Sequence, residues 1–153
     1  MEPEMIERGP IQIVGVLTRG KPEELDYSDI WANQYMPFDA QVKPFSPDGG
    51  YYGAWFSEEG GSAYLAGMAV EAMPNTPAGL VARTLPAAKY AVFTCTMKTM
   101  SATYPYIFQQ WLPASAYALD SDAADFEYYP PTSNSEDSPV RIYIPIKQKE
   151  PVG

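Results

Sequence analysis

The chain has 153 residues, of which 46% are hydrophobic, and a formal net charge of −9. That length and apolar content suit one folded domain spanning 1–153. The acidic field repels a phosphate backbone, so no direct nucleic-acid binding is expected, whereas cationic small molecules are attracted. With no histidine and a single cysteine, Cys95, Ser-His-Asp and Cys-His catalysis, histidine-ligated metal and an intramolecular disulfide are all excluded.

No glycine-rich phosphate loop is present, and no cofactor is expected. The segments PDGG and EEGG read as hairpin turns. The N-terminus MEPEMIERGP is acidic and lacks a signal-peptide core, and no stretch approaches the roughly 18 apolar residues of a membrane span. A cytoplasmic protein without membrane contact is the expectation.

In chain order, the first predicted strand is 11–19, rich in β-branched residues. A helix over 27–36 follows, with Asp26 or Ser28 as N-cap and Pro37 as its stop. Strands at 51–56 and 63–71 come next, and a strand at 80–85 joins this half to the next. The second half opens with a strand at 89–96. A helix over 101–112 carries Tyr104, Ile107, Phe108, Trp111 and Leu112 on one apolar stripe, with Pro105 tolerable only in its first turn and Pro113 as its end. Strands at 125–129 and 140–146 close the chain, and Pro145 puts the last of them at an edge or a bulge. The tail, 149–153, reads as loose.

The two halves repeat one another. NQYMP (33–37) returns as QQWLP (109–113), an offset of 76 residues. At the same offset IQIVGVLT (11–18) falls on AAKYAVFT (87–94), and YLAGMAVE (64–71) on VRIYIPIK (140–147). Three segments in one order at one spacing indicate duplication. The fold class is α+β: tandem β-α-β-β units, about 8–76 and 84–148, related by a pseudo-twofold. Antiparallel sheet carries helices on one side, and a central cleft lies along the axis.

Within DFEYYPP (125–131), alternation puts Glu127 and Tyr129 on one strand face and Phe126 and Tyr128 on the other. In 140–146 the isoleucines look core-facing, which leaves Arg141 and Tyr143 opposite; in 89–96, Tyr90 and Val92 share a face, and Phe93 and Cys95 share the other. Glu127, Tyr129, Tyr143 and Tyr90 can therefore line one cavity, an aromatic cage with an acidic floor suited to cations. The competing arrangement has Glu127 turned to solvent, with Arg141 as its cross-strand partner. Trp31, Trp55 and Trp111 read as core residues by pattern, and Cys95 as a small core hydrophobe.

The run KYAVFTCT, FQQWLPASAY, DFEYYPP and VRIYIPIK resembles the second half of the GyrI-like small-molecule-binding domain, the effector-binding module of AraC-type and MerR-type multidrug regulators. YYGAWF and YLAGMAVE are similar to its first half. The resemblance covers nearly the whole chain and implies a tandem β-α-β-β fold that binds small cationic amphipathic molecules without catalysis, for sequestration or sensing. It implies Glu127 as the central acidic residue, with Tyr90, Trp111 and Tyr143 near the pocket and Tyr52, Trp55 and Tyr64 contributed by the first half. Ala116 stands where the family often has glycine. The chain is expected to be a stand-alone form, similar to drug-binding proteins of mobile integron cassettes, with a homodimer or a separate regulatory protein as possible partners. Two alternatives stay open: a small-molecule hydrolase with Glu127 as general base, and a gyrase-inhibitor-like protein-interaction module.

Overall fold

A computed structural model of the chain describes residues 2–58, 60–133 and 135–150; the remainder of the expected loose tail, 151–153, lies outside them. Among the described residues there are nine strands in one sheet. They are β1 (Glu4–Arg8), β2 (Ile11–Arg19), β3 (Tyr51–Glu58), β4 (Gly61–Ala69), β5 (Val81–Leu85), β6 (Ala88–Thr96), β7 (Tyr117–Leu119), β8 (Phe126–Tyr129) and β9 (Pro139–Gln148). The order across the sheet is β1-β6-β9-β8-β3-β4-β2-β5, with β7 extending β8's side of β9, and the pairings are antiparallel.

The halves meet where β3 pairs with β8. Tyr52 lies opposite Tyr128 there, and these two residues are separated by the same 76 positions that relate the sequence repeats. The pseudo-twofold axis therefore passes through this pair. It relates Glu127 to Tyr51 and Tyr129 to Gly53, so the acidic group has no symmetry mate.

β5 and β6 sit far apart in the sheet order yet are joined by residues 86–87 alone. The sheet must curl to permit this. Its concave face buries Ile11, Ile13 and Leu85 from one half against Tyr90, Val92 and Tyr143 from the other. The convex face carries both helical segments. The first packs Tyr35 and Val42 over Val14 and Met68, and the second packs Ile107 over Phe93, Ile142 and Ile144. The expected one-sided α+β arrangement is the one observed.

Several local expectations are corrected. The first helical segment runs on past Pro37 to residue 45 as short α, π and 3-10 turns. Pro37 falls in the opening turn of a 3-10 stretch, Met36–Phe38, where a missing N–H removes little. Asp26 is the N-cap, accepting from the Asp29 N–H at 3.1 Å. In the second segment Pro105 lies near the end of Met100–Tyr106, outside the first turn. The hydrogen-bond ladder shifts just beyond it, where the Ile107 N–H is shared between the carbonyls of Thr103 and Tyr104. Both segments contain π-helix, Ile30–Tyr35 and Ile107–Trp111, at equivalent places in the two repeats.

β9 is an interior strand. Pro145 is accommodated because the neighbouring strand breaks between β7 and β8. The Pro145 carbonyl accepts from the Asp120 N–H at 2.9 Å across that break, so its nitrogen faces a position with no ladder bond to make. PDGG connects a helix to β3 rather than forming a hairpin; of EEGG, Glu58 ends β3 and pairs with Gly61 at the start of β4, and Glu59 lies outside the described residues. β1 and β7 were not expected from the pattern. No helix among the described residues is long and apolar enough to cross a membrane.

Candidate functional site

The convex face of the central strands is left open between the two helical segments, and a cavity of about 1600 Å³ occupies it. Strand alternation decides which side chains form its floor. Because Tyr51 opposes Tyr129 and Gly53 opposes Glu127, these residues share the helical face with Trp55. Trp31 comes from the first helical segment, and Tyr104 and Phe108 from the second. Met36, Met97 and Phe108 form an exposed apolar rim.

The aromatic rings brace one another edge-on. Trp31 meets Tyr51 at 5.9 Å and Tyr129 at 6.0 Å, and Tyr27 meets Trp55 at 6.5 Å. Tyr104 and Phe108, four residues apart, stack at 6.5 Å with an interplanar angle of 4°. Such packing holds flat, electron-rich faces around the cavity without filling it.

Glu127 lies at the centre of this floor, only 5% exposed. Its Oε2 has no hydrogen-bond partner among the described residues, and neither does the buried hydroxyl of Tyr104. Burial, reinforced by the neighbouring Asp125 carboxylate, pushes the Glu127 carboxyl up to about 8, although the Tyr104 hydroxyl favours its charged form. Asp125, whose side chain is half-buried at the cavity wall, is itself raised by its partial removal from water, to about 6. The hydroxyls of Tyr64, Tyr104 and Tyr129 are held well above their ordinary range, first by burial and then by the Glu127 charge. No lysine or arginine is among the described residues lining the cavity. Groups of three or more potential metal ligands are likewise absent among the described residues.

Space for the carboxylate comes from Gly53. A Cβ there would collide with the Tyr64 hydroxyl and lie 2.9 Å from Glu127 Oε2. Tyr64 is 1% exposed and accepts a hydrogen bond from Trp31 Nε1 at 3.2 Å, so it cannot swing away. Gly53→Ala is therefore expected to destabilise the fold by about 1–3 kcal/mol, as overpacked core substitutions do. Urea unfolding of the two proteins at one pH checks this; equal midpoints would mean that the strand pair has slack.

Of the residues singled out from sequence, Glu127, Tyr129 and Trp55 line the cavity. Tyr64 lies directly behind, its ring 5.0 Å from Trp55 and 5.2 Å from Tyr27. Tyr52, Tyr90 and Tyr143 are on the opposite face, packed around Phe126 at 5.6, 5.3 and 4.4 Å. Register is the reason: Tyr143 opposes Phe126, so it shares that residue's face, while Glu127 opposes Ile142. Trp111 packs on Phe93 at 5.2 Å inside the helix–sheet core. Arg141 opposes Tyr128 and pairs with Glu4 at 3.0 Å, so neither the solvent-facing Glu127 nor the Glu127–Arg141 pair occurs.

Trp31, Tyr104, Tyr51 and Asp125 were not singled out as site residues. For Tyr104 the signal was present: a stripe spanning 104, 107, 108, 111 and 112 is wider than one contact line. Tyr104 and Phe108 border the cavity, while Ile107 and Trp111 pack against the sheet.

Known structures share this architecture. SAV2435 bound to tetraphenylphosphonium aligns with a TM-score of 0.76 at 21% identity, covering 96% of this chain and 94% of that one. The Vibrio cholerae integron cassette protein aligns with a TM-score of 0.61 at 17% identity, covering 96% and 97%. A hydrolase from Listeria innocua aligns with a TM-score of 0.61 at 12% identity, covering 95% and 92%. At these identities the likeness establishes the fold. No curated protein matches the sequence. Residues 4–146 match the Cass2 family, described as integron-associated effector binding protein, and the chain belongs to that family.

Proposed function

We propose that this protein binds lipophilic cations in the cavity between its helical segments, with Glu127 as counter-charge, for sequestration or sensing. The observation that carries this reading is the buried Glu127 Oε2, at the floor of an aromatic cavity, with neither a hydrogen-bond partner nor a basic side chain beside it among the described residues. An unpartnered buried carboxylate is costly, and a bound cation would compensate it. Trp31, Trp55, Tyr104 and Tyr129 would supply ring faces, each contributing roughly 0.5–2 kcal/mol toward a cation. The fold shared with SAV2435, which carries tetraphenylphosphonium, supports the choice of ligand class. Tyr64 would act from behind, by fixing Trp31 and Trp55.

Tetraphenylphosphonium titrated into the protein should quench or shift the fluorescence of Trp31 and Trp55 saturably. A neutral tetraaryl compound of the same size should bind at least tenfold more weakly. Equal binding of the two would remove the role assigned to Glu127. Mass spectrometry of the ligand after incubation separates binding from turnover.

We also propose a cytoplasmic location, on the strength of the single cysteine and the acidic N-terminal segment. β1 and β5, at the two ends of the sheet order, offer edges to a second copy or to a separate regulatory protein. Sedimentation with and without the cation reports on the first of these.

A further inference from the structure

Two carboxylates, rather than one, belong to this cavity. Asp125 precedes Glu127 by two residues and, like it, borders the cavity. The Asp125 carbonyl accepts from the Trp55 N–H at 3.0 Å, so the extended pairing of β3 with β8 reaches back to it. Residues two apart on an extended strand point to the same face with Cα atoms about 7 Å apart. The hydrogen bond that favours the ionised form of Asp125 comes from its own backbone N–H. A third acid, Glu23, stands at the mouth but is exposed, so solvent and salt screen it.

We propose that the cavity is selective for compact dications: molecules carrying two ammonium-type centres about 7 Å apart on an apolar body, one centre held at Glu127 and the other at Asp125. The proposal rests on the cation-binding reading above. A monocation seated at Glu127 leaves the neighbouring carboxylate either ionised without a partner or protonated. No cationic side chain among the described residues of the cavity wall can compensate it. A second positive centre neutralises the pair where effective dielectric is low and each charge counts for more than in water. The volume, about 1600 Å³, exceeds the ~300–1000 Å³ of most small-molecule pockets, so an apolar spacer with aromatic substituents can be housed together with both charges.

The test uses the full chain and a series of aryl-substituted bis-ammonium compounds whose nitrogen–nitrogen distance runs from about 5 to 12 Å around the strand spacing. A monoammonium compound with the same apolar body serves as reference, with affinities taken from calorimetry. The expected result is an optimum near 7 Å, with the best dication binding at least tenfold tighter than the monocation. In Asp125→Asn that ratio should fall to near one, with thermal unfolding confirming that the variant is folded. A flat spacer profile in the unmodified protein, or an unchanged ratio in the variant, would overturn the proposal while leaving monocation binding intact. Failure of both probes to bind would overturn the cation-binding reading itself.

Discussion

Replacing Glu127 with glutamine is expected to lower the affinity for tetraphenylphosphonium by about 10–100-fold, equivalent to roughly 1.5–3 kcal/mol for a charged buried contact. The same change should make the empty protein more stable at alkaline pH. The two effects have opposite sign because they share a cause. Glu127 Oε2 is buried and unpartnered, so its negative charge costs folding free energy until a cation offsets it. Glutamine keeps the shape, and its amide can still approach the Tyr104 hydroxyl, which is also without a partner among the described residues. A carboxyl moved from 4.5 to about 8 disfavours folding by at most about 5 kcal/mol once ionised, a figure that water entering the cavity reduces. Urea unfolding at pH 9 should therefore show the variant more stable than the parent protein, alongside its weaker cation binding in calorimetry. A variant both less stable and weaker in binding would mean that glutamine has disordered the cavity floor, and neither number would then report on charge.

Much of the scaffold could be read from the sequence because alternation within one strand is a local property. The face assignments within 125–129, 140–146 and 89–96 agree with the structure residue by residue, down to Phe93 and Cys95 packing with Ile142 and away from Tyr90. The 76-residue repeat is also visible as geometry, in the pairing of Tyr52 with Tyr128. What alternation does not carry is register between strands. Whether Tyr143 or Ile142 stands across from Glu127 depends on a shift of one residue, and that shift moves Tyr143 and Tyr90 out of the cavity and into the concave core. The curl of the sheet compounds this, since it creates a second buried face that consumes tyrosines as core residues; Tyr52 spends its hydroxyl on Asp48 at 2.8 Å. The helix limits differ from expectation for another reason. Proline in sequence reads as a stop, whereas the chain absorbs Pro37 by changing helix type. That extension carries the first helical segment on to residue 45, beyond the Trp31 that borders the cavity.

Cation affinity should rise about tenfold per pH unit as the pH approaches 8 from below, and then level off. A permanent cation such as tetraphenylphosphonium has no proton of its own, so the pH dependence belongs to the protein. The titratable groups around Glu127 are Asp125 on its own strand, Tyr104 from the second helical segment, the Cys95 thiol, which burial raises, and Tyr64, Tyr129 and Tyr27. The tyrosines titrate above this range, with Tyr27 pushed up to about 12. In the empty protein the folded-state carboxyl holds its proton up to about 8 while the unfolded chain releases it near 4.5. Folding stability from this group is therefore full below 4.5, declines as pH rises through the interval, and is lost above 8. Asp125, raised from 3.8 to about 6, acts in the same direction at the lower end. Asp29 and Glu58, whose carboxyls are lowered by hydrogen bonds to Asn33 and Arg83, act below their ordinary range and leave this window clear. A bound cation reverses the balance at Glu127 by favouring the carboxylate. Each binding event at pH 7 should then release about 0.9 proton, the protonated fraction of a group titrating near 8. Calorimetry in two buffers of different ionisation enthalpy measures that release directly, because the apparent binding enthalpy differs between them by the buffer's enthalpy times the protons released. In Glu127→Gln the release should fall to what Asp125 alone contributes, which is small at pH 7 for a group titrating near 6. Identical enthalpies in the two buffers, together with a flat affinity between pH 6 and 8, would show that Glu127 is already ionised in the empty cavity. The cation would then be entering a preformed anionic site, with no proton to displace.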